Sequence, residues 1–350
     1  MNEIKLGNKF VGSNHKPFII AELSGNHNQS LERALELVRV AAAKGADAVK
    51  LQTYTADTMT LDINRGPFKI EDEENLWKGE KLYDLYKKAY TPWEWHKEIR
   101  DLCRELKVEF FSSPFDESAV DFLESLDVDF YKVASFENTD LPLLKKVAET
   151  GKPVIMSTGM ASIAELGESV DHLRKHGCKN LILLKCTSTY PASPENTNIT
   201  TIPHMSKMFD CLVGLSDHTM GIGVSTASVA LGAPIIEKHF TLSRADGGVD
   251  SQFSLEPQEL ESLCIETERA WQSLGKVKYG VSGIEKQSLT YRRSIYISKD
   301  VKKGDVLSLE NVKRVRPAEG LKPKHWENVL GKKFNNDFKA GDALNWDMLD

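Results

Sequence analysis

Short, almost continuously apolar runs recur along the chain, and amphipathic stretches lie between most of them. The runs fall at Phe18–Leu23, Ala48–Tyr54, Glu109–Ser113, Phe130–Ser135, Val154–Thr158, Leu181–Thr187, Cys211–Asp217 and Pro234–Phe240. Strands covered on both faces need that texture, because helices shield both sides of a parallel sheet. Segments with helical period follow at Leu31–Lys44, Pro92–Leu106, Glu117–Leu126, Leu141–Glu149, Ile163–His176, Gly223–Leu231 and Pro257–Leu274. Repeated strand–helix units in this order predict a (β/α)8 barrel of the α/β class. A doubly wound sheet is the alternative, but no glycine-rich dinucleotide turn follows the first strand.

The pattern breaks in two places. Residues 55–90 form a long charged insertion, with Asp72, Glu73 and Glu74 at its middle, where a barrel needs only a few residues; insertions of this kind serve as binding loops or as solvated excursions. After Leu274 the periodicity stops. The predicted organisation is a barrel over 1–275, a linker over 276–290 and a small domain over 291–350, with strand-like pieces at Ser294–Ser298 and Val312–Arg316.

Composition narrows the classes. The chain has 350 residues, 41% hydrophobic and 27% charged, as expected of a water-soluble globular protein. Its net charge of -6 and lack of a basic run argue against nucleic acid, and no apolar run is long enough for a bilayer. The first residues lack the apolar core of a signal peptide. Five scattered cysteines with no Cys-x-x-Cys spacing suit reduced thiols in a cytoplasm, and Cys186 and Cys211 read as small core residues.

Chemistry-bearing residues collect at strand ends, where barrel enzymes carry their sites. Glu22 ends the first strand. Lys50 and Gln52, two apart, share the inward face of the second. Ser113, Lys132 with Ser135, Ser157 and Lys185 end the next four; Glu137, Ser188 and Tyr190 lie just beyond. Ser216, Asp217 and His218 end the seventh, and Glu237 and His239 the eighth. Two imidazoles at adjacent exits form half a shell for a divalent ion, with positions left open for substrate. Lysines inside apolar strands are costly without an anion, so Lys50 and Lys132, with seryl donors at matching depth, predict a doubly anionic ligand. Lys185 and Lys238 alternate with the inward positions and are expected to face outward.

These residues occur in recognisable motifs: Ala21-Glu-Leu-Ser-Gly-Asn-His-Asn28, Val49-Lys-Leu-Gln-Thr53, Ser112-Ser-Pro114, Tyr131-Lys-Val-Ala-Ser135, Ser157-Thr-Gly-Met160, Gly214-Leu-Ser-Asp-His-Thr219 and Glu237-Lys-His-Phe240. The set resembles the nonulosonic (sialic) acid synthases, and the stretch from Arg292 to Gly320 resembles their antifreeze-like (SAF) domain. The resemblance implies condensation of phosphoenolpyruvate with the open-chain aldehyde of an N-acetylated amino sugar and water, releasing phosphate. It implies a domain-swapped homodimer and a divalent ion, Mn2+ foremost, with Mg2+ or Co2+ as alternatives.

Carried over, His218 and His239 would hold the metal. Lys132, Ser135, Ser157 and Ser216 would grip the phosphate, and Lys50 and Ser113 the carboxylate, with Gln52 nearby. Glu22, Glu137, Tyr190, Glu237 and Asp250 would line the sugar and metal region, Glu22 or Glu237 acting as the catalytic carboxylate. Arg316 would reach the N-acetyl group from the partner subunit. Ser188, in Cys186-Thr-Ser-Thr-Tyr190, stands where N-acetylneuraminate synthases carry Asn, and residues 26–30 read Asn-His-Asn-Gln-Ser. Both features, with Gln52-Thr-Tyr-Thr-Ala-Asp-Thr-Met-Thr60, look more like the pseudaminic acid branch, whose acceptor is 2,4-diacetamido-2,4,6-trideoxy-altrose. N-acetylneuraminate or legionaminic synthesis is the alternative within the family. A catalytically silent polysaccharide-assembly protein, or an aldolase using Lys132 or Lys185 as a Schiff base, lies outside it.

Overall fold

The computed structural model describes residues 3–71 and 77–350, so Asp72, Glu73 and Glu74 lie outside the described residues. The chain divides into two compact units, Met1–Gly275 and Lys276–Asp350.

In the first unit a hairpin of β1 (Glu3–Leu6) and β2 (Lys9–Gly12) precedes the barrel strands. The eight strands that follow are β3 (Phe18–Glu22), β4 (Ala48–Thr53), β5 (Glu109–Pro114), β6 (Tyr131–Val133), β7 (Val154–Ser157), β8 (Leu181–Cys186), β9 (Leu212–Ser216) and β10 (Ile235–His239). They close in the order β10-β3-β4-β5-β6-β7-β8-β9, all parallel, which removes the doubly wound alternative. The helices are α1 (Leu31–Ala43), α2 (Ala56–Met59), α3 (Leu82–Ala89), α4 (His96–Leu106), α5 (Glu117–Ser125), α6 (Leu141–Glu149), α7 (Ile163–Lys175), α8 (Thr201–Phe209), α9 (Gly223–Ala230) and α10 (Pro257–Leu274). Several start on side-chain caps that accept amide protons of the first turn, from Ser30, Asp116, Asp140 and Ser162.

Two cores follow from the two-residue period of the strands. One lies outside the barrel, where Val49, Leu51, Val133, Met156, Leu183 and Leu215 pack against the helices. The other fills the interior with Phe18, Ile20, Ala48, Phe111, Phe130, Ile155, Ile182, Leu184 and Ile235. Ile4, Leu6 and Val11 of the hairpin belong to that inner cluster and add apolar bulk at the end where the strands begin. Gly214 is required there, since a Cβ on it would lie 2.2 Å from the Ile235 carbonyl oxygen. The interior is therefore apolar below and polar above: the next inward positions are Glu22, Lys50, Ser113, Lys132, Ser157, Ser216 and Glu237.

The hairpin and α8 have no counterpart in the sequence reading, and the insertion between β4 and α4 contains α2 and α3. The Phe130–Ser135 run narrows to Tyr131–Val133 and passes into a 3-10 turn at Ser135–Glu137. The second unit pairs β11 (Ser294–Ile297) with β12 (Val312–Val315), antiparallel, over a core that includes Ile295, Ile297, Leu307, Val329, Phe334 and Leu344. Among the described residues no helix is long and apolar enough to cross a membrane.

Candidate active site

Four charged side chains meet at the upper end of the barrel. Lys50 Nζ donates to Glu237 Oε1 at 2.9 Å and lies 3.3 Å from Glu22 Oε2. Lys132 Nζ is 3.4 Å from the same Glu237 oxygen, and Ser216 Oγ donates to it at 3.3 Å. Gln52 Nε2 donates to Glu22 Oε1 at 2.8 Å, fixing that carboxylate. All four charged residues are nearly inaccessible, between 0% and 4% exposed. Two buried cations against two buried anions balance in number, and such a set holds only while each charge keeps its partner.

The electrostatics separate the members. Burial raises Glu22 above its ordinary value, only partly offset by Lys50. Burial would also raise Glu237, but Lys132 and Lys50 outweigh it and hold that carboxyl well below the usual range. Lys50 moves upward: burial opposes its charge, but Glu22 and Glu237 more than compensate. Lys132 moves down because burial dominates. Glu137, just beyond β6, is pushed up to about 7 by burial, with Lys132 opposing.

Buried polar atoms are ordinarily satisfied. Here Ser113 Oγ, Ser157 Oγ, Glu22 Oε2, Glu237 Oε2 and Glu137 Oε2 are buried without a hydrogen bond. The Lys50–Glu22 approach is close enough for an ion pair but does not satisfy Glu22 Oε2. Five unsatisfied oxygens around one lysine cluster are hydrogen-bonding capacity that the fold itself leaves unused. Ser135 Oγ accepts from the Gly159 amide at 3.2 Å, which draws the end of β7 toward the end of β6.

The imidazoles occupy the neighbouring sector. The His218 and His239 ring centroids are 5.3 Å apart. His218 Nδ1 pairs with the Thr187 carbonyl at 3.0 Å; His239 Nδ1 lies 3.3 Å from Ser24 Oγ and 3.6 Å from Asp250 Oδ2. Both rings are thus oriented through Nδ1, leaving Nε2 for a ligand, the arrangement typical of metal-binding histidine. Burial, with His218 beside it, drops His239 far below its ordinary value, whereas in His218 burial is outweighed by Cys186 and the Thr187 carbonyl and the ring moves up. Among the described residues no set of three or more His, Cys, Asp or Glu side chains is arranged as a metal cage. Two imidazoles alone could supply at most half a shell to a divalent ion, with the remaining positions left to substrate or water. Tyr190 lies 4.6 Å from His218, and Phe253 lies 4.9 Å from His239, centroid to centroid.

Most residues singled out in the sequence converge here: Glu22, Lys50, Gln52, Ser113, Lys132, Ser135, Glu137, Ser157, Tyr190, Ser216, His218, Glu237, His239 and Asp250. Ser188 Oγ lies 3.7 Å from Cys186 Sγ on the rim. Arg316 belongs to the second unit and is exposed. Asp217, beside His218 in sequence, points away from it; it accepts from Thr219, Ser225 and Lys238 and is structural. Lys238 faces outward yet is fully buried, donating to Asp217 and to the Thr219 and Gly221 carbonyls. Lys185 is half-buried and donates to the Cys186 carbonyl.

Sequence reasoning missed Ser24 and Phe253, and it placed Cys186 in the core, whereas its Sγ is 3.9 Å from His218 Nδ1. The signal for Cys186 was available: it lies two residues beyond Leu184 and so on the same inward face. No periodic signal marks Ser24, in the turn after β3, or Phe253, in a 3-10 turn at Ser251–Phe253. His27 is fully buried, with Nδ1 accepting from the Gln29 amide and Nε2 3.1 Å from Thr91 Oγ1.

A model described as the NeuB family matches residues 37–279, and a SAF domain model matches residues 292–350. A pseudaminic acid synthase of Campylobacter jejuni is 42% identical over 341 residues, covering 97% of this chain and 98% of its own. One of Helicobacter pylori is 40% identical over 336 residues, covering 95% and 98%. The crystal structure of an N-acetylneuraminic acid synthetase from Leptospira borgpetersenii superposes with a TM-score of 0.72 at 33% identity, covering 83% of this chain and 96% of that one.

Proposed function

The chain belongs to the NeuB family, and from that membership we propose that it condenses phosphoenolpyruvate with 2,4-diacetamido-2,4,6-trideoxy-altrose and water to give pseudaminic acid and phosphate. The observation that carries the chemistry is the buried Lys50–Lys132 pair, ringed by hydroxyl and carboxylate oxygens that lack partners. A three-carbon donor with a phosphate at one end and a carboxylate at the other accepts from the Ser113 and Ser157 hydroxyls, while the free oxygens of Glu22, Glu137 and Glu237 accept from the hydroxyls and amides of the sugar and from the incoming water. Lys132, Ser135, Ser157 and Ser216 take the phosphate; Lys50 and Ser113 take the carboxylate, with Gln52 beside them.

In the reaction the enol methylene carbon bonds to the aldehyde carbon of the open-chain sugar. The aldehyde oxygen gains a proton and becomes a hydroxyl. The donor's central carbon becomes an oxocarbenium-like centre, water adds to it, and phosphate leaves to give the keto acid. Glu237, kept ionised by two lysines, is placed to stabilise that cationic centre. Glu22, raised by burial and steered by Gln52, is the better proton carrier and activates the water. A divalent ion held by His218 and His239, Mn2+ in first choice and Mg2+ or Co2+ otherwise, supplies Lewis acidity for the aldehyde oxygen when bound.

Glu137, Ser188, Tyr190 and Asp250 line the acceptor side. A second copy of the chain offers Arg316 to an acetamido group in a domain-swapped homodimer; the exposure of Arg316 supports this assignment. Five cysteines without a disulfide suit a cytoplasmic enzyme. The test is phosphate release by the metal-supplemented protein against a panel of acetamido sugars, with the product identified by mass. The reading fails if no acetamido sugar stimulates release from phosphoenolpyruvate.

A further inference from the structure

Beside the charged cluster the mouth carries an aromatic row that the bond-forming chemistry does not use. Phe253 lies 5.3 Å from Tyr190, and Trp77 extends the row with its ring centroid 6.3 Å from Tyr190. Trp77 comes from the insertion between β4 and α4, and its indole N–H donates to the Val249 carbonyl at 3.2 Å. That bond ties the insertion to the loop between β10 and α10. Gln29 Nε2 ties its far end, donating to the Lys88 and Tyr90 carbonyls at 3.0 and 2.6 Å.

The indole also lines a cavity of about 480 Å³ with Gly25, Gln29 and Val249, whose other wall carries Lys78 and the Lys88–Glu80 ion pair. Gly25 follows Ser24, and Val249 precedes Asp250, the two residues that flank His239 Nδ1. The cavity therefore adjoins the imidazole end of the site, and neither Lys50 nor Lys132 lines it. An acceptor whose aldehyde lies at the imidazoles and whose donor lies at the lysines has this direction left for its remaining carbons. Its volume falls within the range of small-ligand pockets.

Resting on the proposed reaction, we infer that Trp77 is a specificity-determining residue whose ring meets the deoxygenated, methyl-bearing end of the acceptor sugar. The indole N–H donates to Val249, and Trp77 lines the cavity, so a ligand there meets ring surface and not a donor. Ring surface favours methyl and C–H groups and gains nothing from a hydroxyl that must shed water to reach it. Discrimination by such a contact is moderate, roughly 10- to 100-fold, since an apolar wall cannot strongly reject a molecule that adds one hydroxyl.

The test compares wild type, Trp77→Ala and Trp77→Phe as full-length, Mn2+-supplemented protein. Phosphate release is measured with 2,4-diacetamido-2,4,6-trideoxy-altrose and with the analogue that keeps its 6-hydroxyl. Trp77→Ala is expected to raise KM for the trideoxy sugar about 10- to 100-fold and to erase the preference over the analogue, with KM for phosphoenolpyruvate within about twofold. Trp77→Phe lacks the Val249 bond but keeps an aromatic face, and is expected to retain most of the preference. Equal impairment of both variants would reduce Trp77 to a strut for the insertion and overturn the inference. Equal loss on both sugars, or an unchanged Trp77→Ala, overturns it too. Should Trp77→Ala melt early, Trp77→Leu makes the same comparison. A wild type inactive on every acetamido sugar would instead sink the proposed reaction, and this inference with it.

Discussion

Lys50 and Glu237, on strands that flank β3 from opposite sides, are joined across the barrel interior by a 2.9 Å hydrogen bond between side chains that are both nearly inaccessible. Removing the cation leaves Glu237 dependent on Lys132 alone and Glu22 without its ion-pair partner. Lys50→Ala is therefore expected to destabilise the fold by about 3–5 kcal/mol, as for other buried pairs broken on one side. Urea unfolding followed by circular dichroism reads this as a lower midpoint with an unchanged slope. A midpoint equal to that of wild type would mean the charges are not held as described.

Two buried histidines make the fold sensitive to acid. Burial lowers both His27 and His96 to about 4 from an ordinary value of 6.5. The unfolded chain thus binds more protons than the folded one between those limits. Their contribution is complete above about pH 6.5 and is lost as pH falls toward 4. In His27→Gln the decline of stability over that window is expected to be shallower by up to about 1.4 kcal/mol per pH unit, one proton's worth. Urea midpoints at pH 6.5, 5.5 and 4.5 check it, and parallel slopes would contradict it.

Gly159 lets the end of β7 close on Ser135, one of the hydroxyls proposed to take the phosphate. A Cβ at that position would lie 2.1 Å from Ser188 Oγ and 2.8 Å from Ser135 Oγ. Gly159→Ala must push these hydroxyls aside. It is expected to raise KM for phosphoenolpyruvate and lower kcat, to about 100-fold in kcat/KM if the shift nears an ångström. Steady-state kinetics with the acceptor saturating read it. Unaltered KM for the donor would detach Ser135 from donor binding.

The imidazole pair predicts a metal effect visible without turnover. A ligand that binds only the folded state raises the melting point with its concentration. Mn2+ added to chelator-treated protein is expected to raise Tm in wild type but not in His218→Ala or His239→Ala. A shift of equal size in either variant would place the ion elsewhere.

The barrel was legible in the sequence because a strand buried on both faces must be apolar nearly throughout, and the exceptions then stand out as site residues. The inward set Lys50, Lys132, Ser157, Glu237 and His239 follows from parity alone, as does the outward direction of Lys238. What parity cannot supply is the partner. Lys238 reads as a surface lysine until Asp217 is seen to hold it, which also withdraws Asp217 from the imidazoles. Helix α8 escaped because Thr201–Phe209 is short, carries Pro203, and starts at Thr200 without a side-chain cap. The β1–β2 hairpin escaped because its four-residue strands acquire their burial only from the barrel interior. Trp77 lay in an insertion that the sequence left open between binding loop and solvated excursion, since its contact with Tyr190 joins distant parts of the chain.

The proposed reaction turns on water adding to the donor's central carbon between Glu22 and Glu237 after the enol carbon has attacked the sugar. The measurement that tests this most directly uses phosphoenolpyruvate labelled with oxygen-18 in the bridge between carbon and phosphorus, followed by mass spectrometry of both products. The label is expected in the released phosphate, with the keto oxygen of the nonulosonic acid drawn from solvent. A label retained in the keto acid would mean that water had attacked phosphorus, and the arrangement of carboxylates and lysines described here would not be the machinery of the reaction.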